Sequence, residues 1–228
     1  MYKYWNILFL TACLTLQLVA SLPPKTPKTL SDKLESHEDA GEEKVKGQIN
    51  LLRAQLSCNA LNLLTNQSRS ILRLSKPFLK SLVNELNSLP VKSAEMEKYQ
   101  QRLAEALKGI EKINLDAEPP QLVDIFSSVD EVTTIIKDYA NMPQNEEHSK
   151  LEKLLEKIGS KILVNKLNET LEYTLKEFKK IFEHYEVSLS DEKGKGIDDQ
   201  LTNWLERFKE EDDTEKKIEQ LFEIFKNF

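Results

Sequence analysis

The sequence predicts an all-α protein, a bundle of about six or seven helices that follows a flexible N-terminal extension. From about residue 42 onward, apolar residues recur at spacings of three and four, the period of an amphipathic helix. No sustained alternation of apolar and polar residues occurs, and neither Asn-Gly nor Asp-Gly marks a hairpin turn. We therefore divide the chain into residues 1–21, residues 22–41 and one helical domain over residues 42–228.

Residues 1–21 have the features of a cleavable secretory signal peptide. Lys3 supplies a positive charge, and an uncharged, largely apolar run extends from Ile7 to Ala20 before Ser21. This run of about 14 residues is shorter than the roughly 20 that a membrane-spanning helix requires. We expect cleavage after Ser21, with Ala20 as the alternative, and a mature protein that is secreted into the extracellular space.

Composition narrows the classes of partner and of chemistry. Loss of Lys3 with the leader leaves 31 basic and 38 acidic side chains, a net charge of −7 that disfavours nucleic acid and anionic lipid as partners. Cys13 is also lost, so Cys58 is the single cysteine of the mature chain and no intramolecular disulfide can form. The fold must be held by its apolar core.

Residues 22–41 are read as a flexible extension because Pro23, Pro24 and Pro27 precede a polar, charged stretch with little to bury. The first helix, from about residue 42, has two apolar stripes. One consists of Val45, Ile49, Leu52, Leu56 and Leu63, and the other of Leu51, Ala54, Cys58 and Leu61. A helix that is apolar on two sides is expected to lie between neighbours, with Cys58 buried and unreactive.

Capping and helix-breaking residues mark the next boundaries. Ser75 and Pro77 suit the first turn of a second helix, and Ser93 suits the cap of a third. Pro119-Pro120 ends the third segment and opens the fourth, which Met142-Pro143 ends.

The last third of the chain has the same helical period. A long fifth helix is expected over residues 146–187, bent at Gly159, followed by a loop at residues 190–196 and two short helices. These short helices contain Trp204, Phe208, Phe222, Phe225 and Phe228. Core packing is the favoured interpretation of these aromatic residues, and a surface for a partner or a hydrophobic ligand is the alternative.

The motifs that carry chemistry are missing from the sequence. His37, His148 and His184 lack a second histidine at helical spacing, which excludes an HExxH-type zinc site, and none has a Glu three residues before it, which excludes the Glu-x-x-His pattern of a di-iron site. Gly194-Lys-Gly196 lacks the spacing of a phosphate-binding loop. We predict no enzyme activity, no metal and no cofactor.

Two Asn-x-Ser/Thr sequons are potential glycosylation sites in an exported chain. Asn66 lies in Asn66-Gln-Ser68, near the expected end of the first helix, and Asn168 lies within the fifth. Both are predicted N-glycosylation sites if they face solvent.

Together these features predict a secreted, non-enzymatic helical glycoprotein that binds an extracellular protein or a cell-surface partner, as effectors and signalling or immune-modulating factors do. The alternative is a carrier that holds a small hydrophobic ligand between its helices. Neither hypothesis includes nucleic acid or a membrane span.

Overall fold

A computed structural model describes residues 39–191, 199–214, 216, 217, 220 and 221. The predicted signal peptide, residues 22–38 of the predicted extension and most of the predicted 190–196 loop lie outside these ranges. The first helix begins at Asp39.

The described residues form six helices and contain no strand, which confirms the all-α bundle. The helices are α1 (Asp39–Asn87), α2 (Ala94–Lys112), α3 (Leu122–Ala140), α4 (Glu146–Lys157), α5 (Ser160–Asp191) and α6 (Asp199–Glu210). They contribute to two compact units. One contains Leu64–Thr174, and the other contains the described residues of Gln17–Leu63 and Leu175–Phe228.

Helix α1 runs through Pro77 without a break, so the separate helix predicted to begin at Ser75 is wrong. Proline lacks an N–H group, and within a helix this costs about 3 kcal/mol. The apolar residues on both sides of the proline, Ile71, Leu72, Leu79 and Leu82, are all buried. Each buried side chain of this size stabilises the fold by roughly 1.5–3 kcal/mol, so packing outweighs the local cost.

Helix α2 begins where predicted and α3 has the predicted boundaries, but α2 ends at Lys112, before Pro119-Pro120. The Ser93 hydroxyl accepts a hydrogen bond from the Met96 N–H at 3.1 Å, which confirms the predicted cap of α2. The same hydroxyl donates to the Glu147 carboxylate at 2.6 Å. A single residue therefore caps α2 and joins it to the first turn of α4.

The predicted fifth helix is two helices, α4 and α5, because the helix is interrupted at Gly159 and does not simply bend there. Gly159 has a φ of +88°, a left-handed conformation that L residues with a side chain rarely adopt. Asn145 caps α4 through its side-chain oxygen, which accepts a hydrogen bond from the His148 N–H at 3.0 Å.

The second unit contains an aromatic cluster. Trp204 is buried, its ring centroid lies 4.5 Å from that of Phe182 and 5.1 Å from that of Phe208, and its indole N–H donates to the Gln220 carbonyl at 2.7 Å. Phe208 is buried as well. The core interpretation is confirmed for Trp204 and Phe208, while Phe222, Phe225 and Phe228 lie outside the described residues.

Candidate functional site

A small apolar cavity lies in the first unit, among five of its helices, with a volume of about 40 Å³. Its floor is made of buried residues from α1, α2, α3 and α5, including Ser75, Leu79, Tyr99, Leu103, Val132 and Ile135. Its rim is made of half-buried residues, Phe78, Ile136, Tyr139, Leu155 and Leu163. The cavity is partly open to solvent.

Two hydroxyl-bearing residues are part of the otherwise apolar floor. Ser75 and Tyr99 are 3% and 8% exposed, and neither hydroxyl is among the buried side-chain atoms of the described residues that lack a hydrogen-bond partner. Buried hydroxyls are normally hydrogen-bonded, to protein or to ordered water. Among the described residues, the side-chain polar atoms that are buried without such a partner are Arg69 Nε and Gln220 Oε1, and neither residue lines the cavity.

Burial also changes the pKa of the Tyr99 phenol. Burial raises the pKa of Tyr99 above its ordinary value of 10, Tyr139 on the rim raises the pKa further, and Arg102 acts in the opposite direction. The Tyr99 phenol is therefore neutral throughout the physiological pH range. It can both donate and accept a hydrogen bond.

Of the histidines that the structure describes, one is buried against an aromatic ring and the other is exposed. His148 is buried, stacks on Tyr139 with ring centroids 5.0 Å apart, and has its Nε2 atom 3.1 Å from the Gln144 side-chain nitrogen. His184 is exposed, and His37 lies outside the described residues. Within the described ranges, no three His, Cys, Asp or Glu side chains group together to hold a metal ion.

Cys58 is exposed, so the prediction that it is buried is wrong. The second predicted stripe of α1 shares this exposure: Leu51 is 59% exposed, Ala54 is exposed, and Leu61 is half-buried. Leu56 and Ala60, on another side of the helix, are buried. The start of α1 thus packs through one side, and the stripe of Leu51, Ala54 and Cys58, hereafter the α1 stripe, is left at the surface.

Both sequons lie inside helices. Asn66 is exposed on α1, in the middle of a continuous helix and not in the turn expected from the sequence. Asn168 is half-buried on α5, next to the buried Leu167. The Asn66 side chain is the more accessible acceptor.

Sequence reasoning missed the cavity, because its two hydroxyl residues lie 24 positions apart on different helices. No protein-family model, no curated protein and no solved structure matches this chain. None of the described helices combines the length and the apolar character that a membrane-spanning segment needs.

Proposed function

We propose that the protein is a secreted, non-enzymatic helical factor that binds an extracellular protein or a cell-surface partner. The observation that carries this proposal is the α1 stripe, where Leu51 and Ala54 are exposed at helical spacing. Contiguous apolar side chains at a surface favour contact with another molecule, and an amphipathic helix face is a common way to bind a partner.

The binding experiment uses the mature chain as bait against extracellular fluid and cell-surface extracts, followed by titration of the recovered partner. Leu51→Glu and Ala54→Glu place charge on the α1 stripe and are expected to weaken binding at least tenfold. Ser81→Glu and Asn84→Glu are the matched controls, because both positions are exposed and polar on the same helix but lie in the first unit, away from the α1 stripe. Equal effects of both pairs, or no saturable partner, would contradict the proposal.

We also propose that the chain is exported and glycosylated. The sequence features of residues 1–21 support export, and the exposure of Asn66 supports glycosylation. Expression in eukaryotic secretory cells should release a chain that begins at Leu22. Glycosidase treatment should lower its mass, and Asn66→Gln should remove more of that shift than Asn168→Gln, because Asn168 is half-buried. A retained leader, or no change of mass, would contradict these two proposals.

A carrier of a small hydrophobic ligand is the second candidate, favoured by the apolar cavity of the first unit. Its volume of about 40 Å³ is far below the several hundred Å³ of typical ligand pockets. A lipid-sized molecule would not fit inside, so this function requires a narrow ligand, or one that extends past the rim. Native mass spectrometry of protein purified from secretory cells tests it, and a spectrum of ligand-free protein alone would argue against it.

A further inference from the structure

We infer that the cavity of the first unit binds the methyl end of an unbranched alkyl chain, and that the other end of this chain stays in solvent. This binding mode rests on the second proposed function, because it specifies what the carrier would hold and which end of the ligand would be buried. It does not involve the α1 stripe, which lies in the other unit.

The lining of the cavity favours a hydrocarbon. Apart from Ser75, Tyr99 and Tyr139, every lining residue is Leu, Ile, Val or Phe. None of these three hydroxyls is among the buried side-chain atoms of the described residues that lack a hydrogen-bond partner. No lining side chain therefore requires a polar ligand atom, and a polar atom placed there would give up its own hydration. The end of the ligand inside the cavity is expected to be apolar.

Water competes poorly for such a space. An ordered water in a protein interior needs about two to four polar partners, and apolar cavities stay dry. A hydrocarbon that enters gains dispersion contacts with the lining side chains and displaces little bound water. Burial of its apolar surface is therefore the main source of affinity.

The dimensions of the cavity select a narrow end. A volume of about 40 Å³ accommodates roughly three water-sized groups, or about three carbon atoms of a chain, and the cavity known to bind benzene is roughly 150 Å³. A straight chain ends in a single methyl group, which is narrower than a ring or a branched end. Because the cavity is partly open to solvent, the rest of a longer chain can extend out of it.

The walls that would hold the chain end are already packed. Leu79 of α1, Leu103 of α2, and Val132 and Ile135 of α3 line the cavity, and each is at most 5% exposed. Buried side chains have lost their rotamer freedom on folding, so a ligand does not have to order them. A preformed cavity of fixed width can distinguish a straight chain from a branched isomer.

The experiment titrates three probes into the full mature chain while the methyl NMR signals of Leu103 and Ile135 are followed. 1-Hexanol has one methyl end, its isomer 3,3-dimethyl-1-butanol ends in a tert-butyl group, and 1,6-hexanediol has a hydroxyl at both ends. We expect hexanol to shift these signals and to bind at least about tenfold more tightly than either comparison probe, since each buried methylene strengthens binding about fourfold.

A variant that fills the cavity tests its role directly. Val132→Ile adds one methylene group to a lining side chain and should weaken hexanol binding about fourfold or more. Val129→Ile is the matched control, because Val129 is buried on the same helix but does not line the cavity, and it should leave binding unchanged. Should Val129→Ile fail to fold, Val123→Ile at a 71% exposed position of α3 replaces it.

Two results would contradict the binding mode, and they differ in what they leave standing. If the three probes bind equally, or if Val132→Ile binds hexanol like its control, the methyl-end binding mode is wrong and a carrier for a ligand of another shape remains. If no probe shifts the signals of Leu103 and Ile135, both the binding mode and the carrier function are wrong. Should Val132→Ile fail to fold, the comparison of the three probes decides the question alone.

Discussion

Arg69 forms an ion pair with Glu118 in the first unit, and the arginine Nη1 atom lies 3.1 Å from the carboxylate Oε1 atom. Its Nη2 atom donates to the Ala117 carbonyl at 2.7 Å. One turn later on α1, Arg73 binds the Leu115 carbonyl at 3.3 Å and the Asp116 carboxylate. Two arginines of α1 therefore bind the loop that connects α2 and α3.

The two arginines are expected to differ in their effect on stability. The Arg69 side chain is 10% exposed and the Arg73 side chain is 48% exposed. Arg69→Ala should lower the free energy of unfolding by about 2 kcal/mol, because it removes two hydrogen bonds of a buried cation. Arg73→Ala should cost less than about 1 kcal/mol, because solvent screens its contacts. Urea unfolding checks this order, and equal losses would refute it.

Replacing Gly159 and Gly109 by alanine should have opposite effects on the stability of the protein. Gly159→Ala should destabilise the protein by about 1–2 kcal/mol, because alanine must adopt the φ of +88°. The added Cβ atom would lie 3.6 Å from the Ile162 side chain, an ordinary contact, so the cost arises in the backbone.

Gly109 lies inside α2, where alanine is the better helix former, and its Cβ would be 4.0 Å from the Ser128 hydroxyl. Gly109→Ala should therefore stabilise the protein by up to about 1 kcal/mol. Thermal unfolding of the two variants should give shifts of opposite sign. Shifts of the same sign would contradict the roles assigned to the two glycines.

The exposure of Cys58 predicts a reactive thiol. Its modification by a thiol-specific chromogenic reagent should go to completion on the folded chain, at a rate that denaturant raises little. Cys58→Ser should change the free energy of unfolding by less than about 0.5 kcal/mol, because it removes no buried contact. Slow modification that becomes fast only in denaturant would mean that the thiol is covered.

The raised pKa of Tyr99 predicts that the folded protein loses stability at alkaline pH. Its raised pKa means that the folded chain keeps the phenolic proton above pH 10, where the unfolded chain begins to lose it. The contribution to stability is thus full below about pH 10 and falls as the pH rises further, by up to about 1.4 kcal/mol per pH unit.

Unfolding measured between pH 9 and 11 should therefore show a shallower pH dependence in Tyr99→Phe than in the unaltered chain. Tyr173→Phe is the control, because Tyr173 is 60% exposed and the variant keeps Tyr99. In an absorbance titration, Tyr99→Phe and the unaltered chain should form the same amount of tyrosinate up to about pH 11. A clear difference there would show that Tyr99 ionises normally.

The errors of the sequence interpretation share a physical cause. Pro77 and Ser75 have the residue types of a helix start, yet buried leucines on both sides keep α1 continuous. Gly159 was expected to bend a helix, but the left-handed φ it adopts ends one helix and begins another. Local propensities amount to a few kcal/mol at most, and the packing of neighbouring helices decides between them.

The sequence by itself determined the helical class, the capping of α2 by Ser93, and the boundaries of α3, because these depend on residues within one or two turns of each other. Only the tertiary structure decided that Cys58 is exposed, that Arg69 reaches Glu118, and that Ser75 and Tyr99 line the same cavity. The apolar period of a helix shows which sides could be buried. Whether a neighbouring helix covers a given side depends on residues far away in the chain.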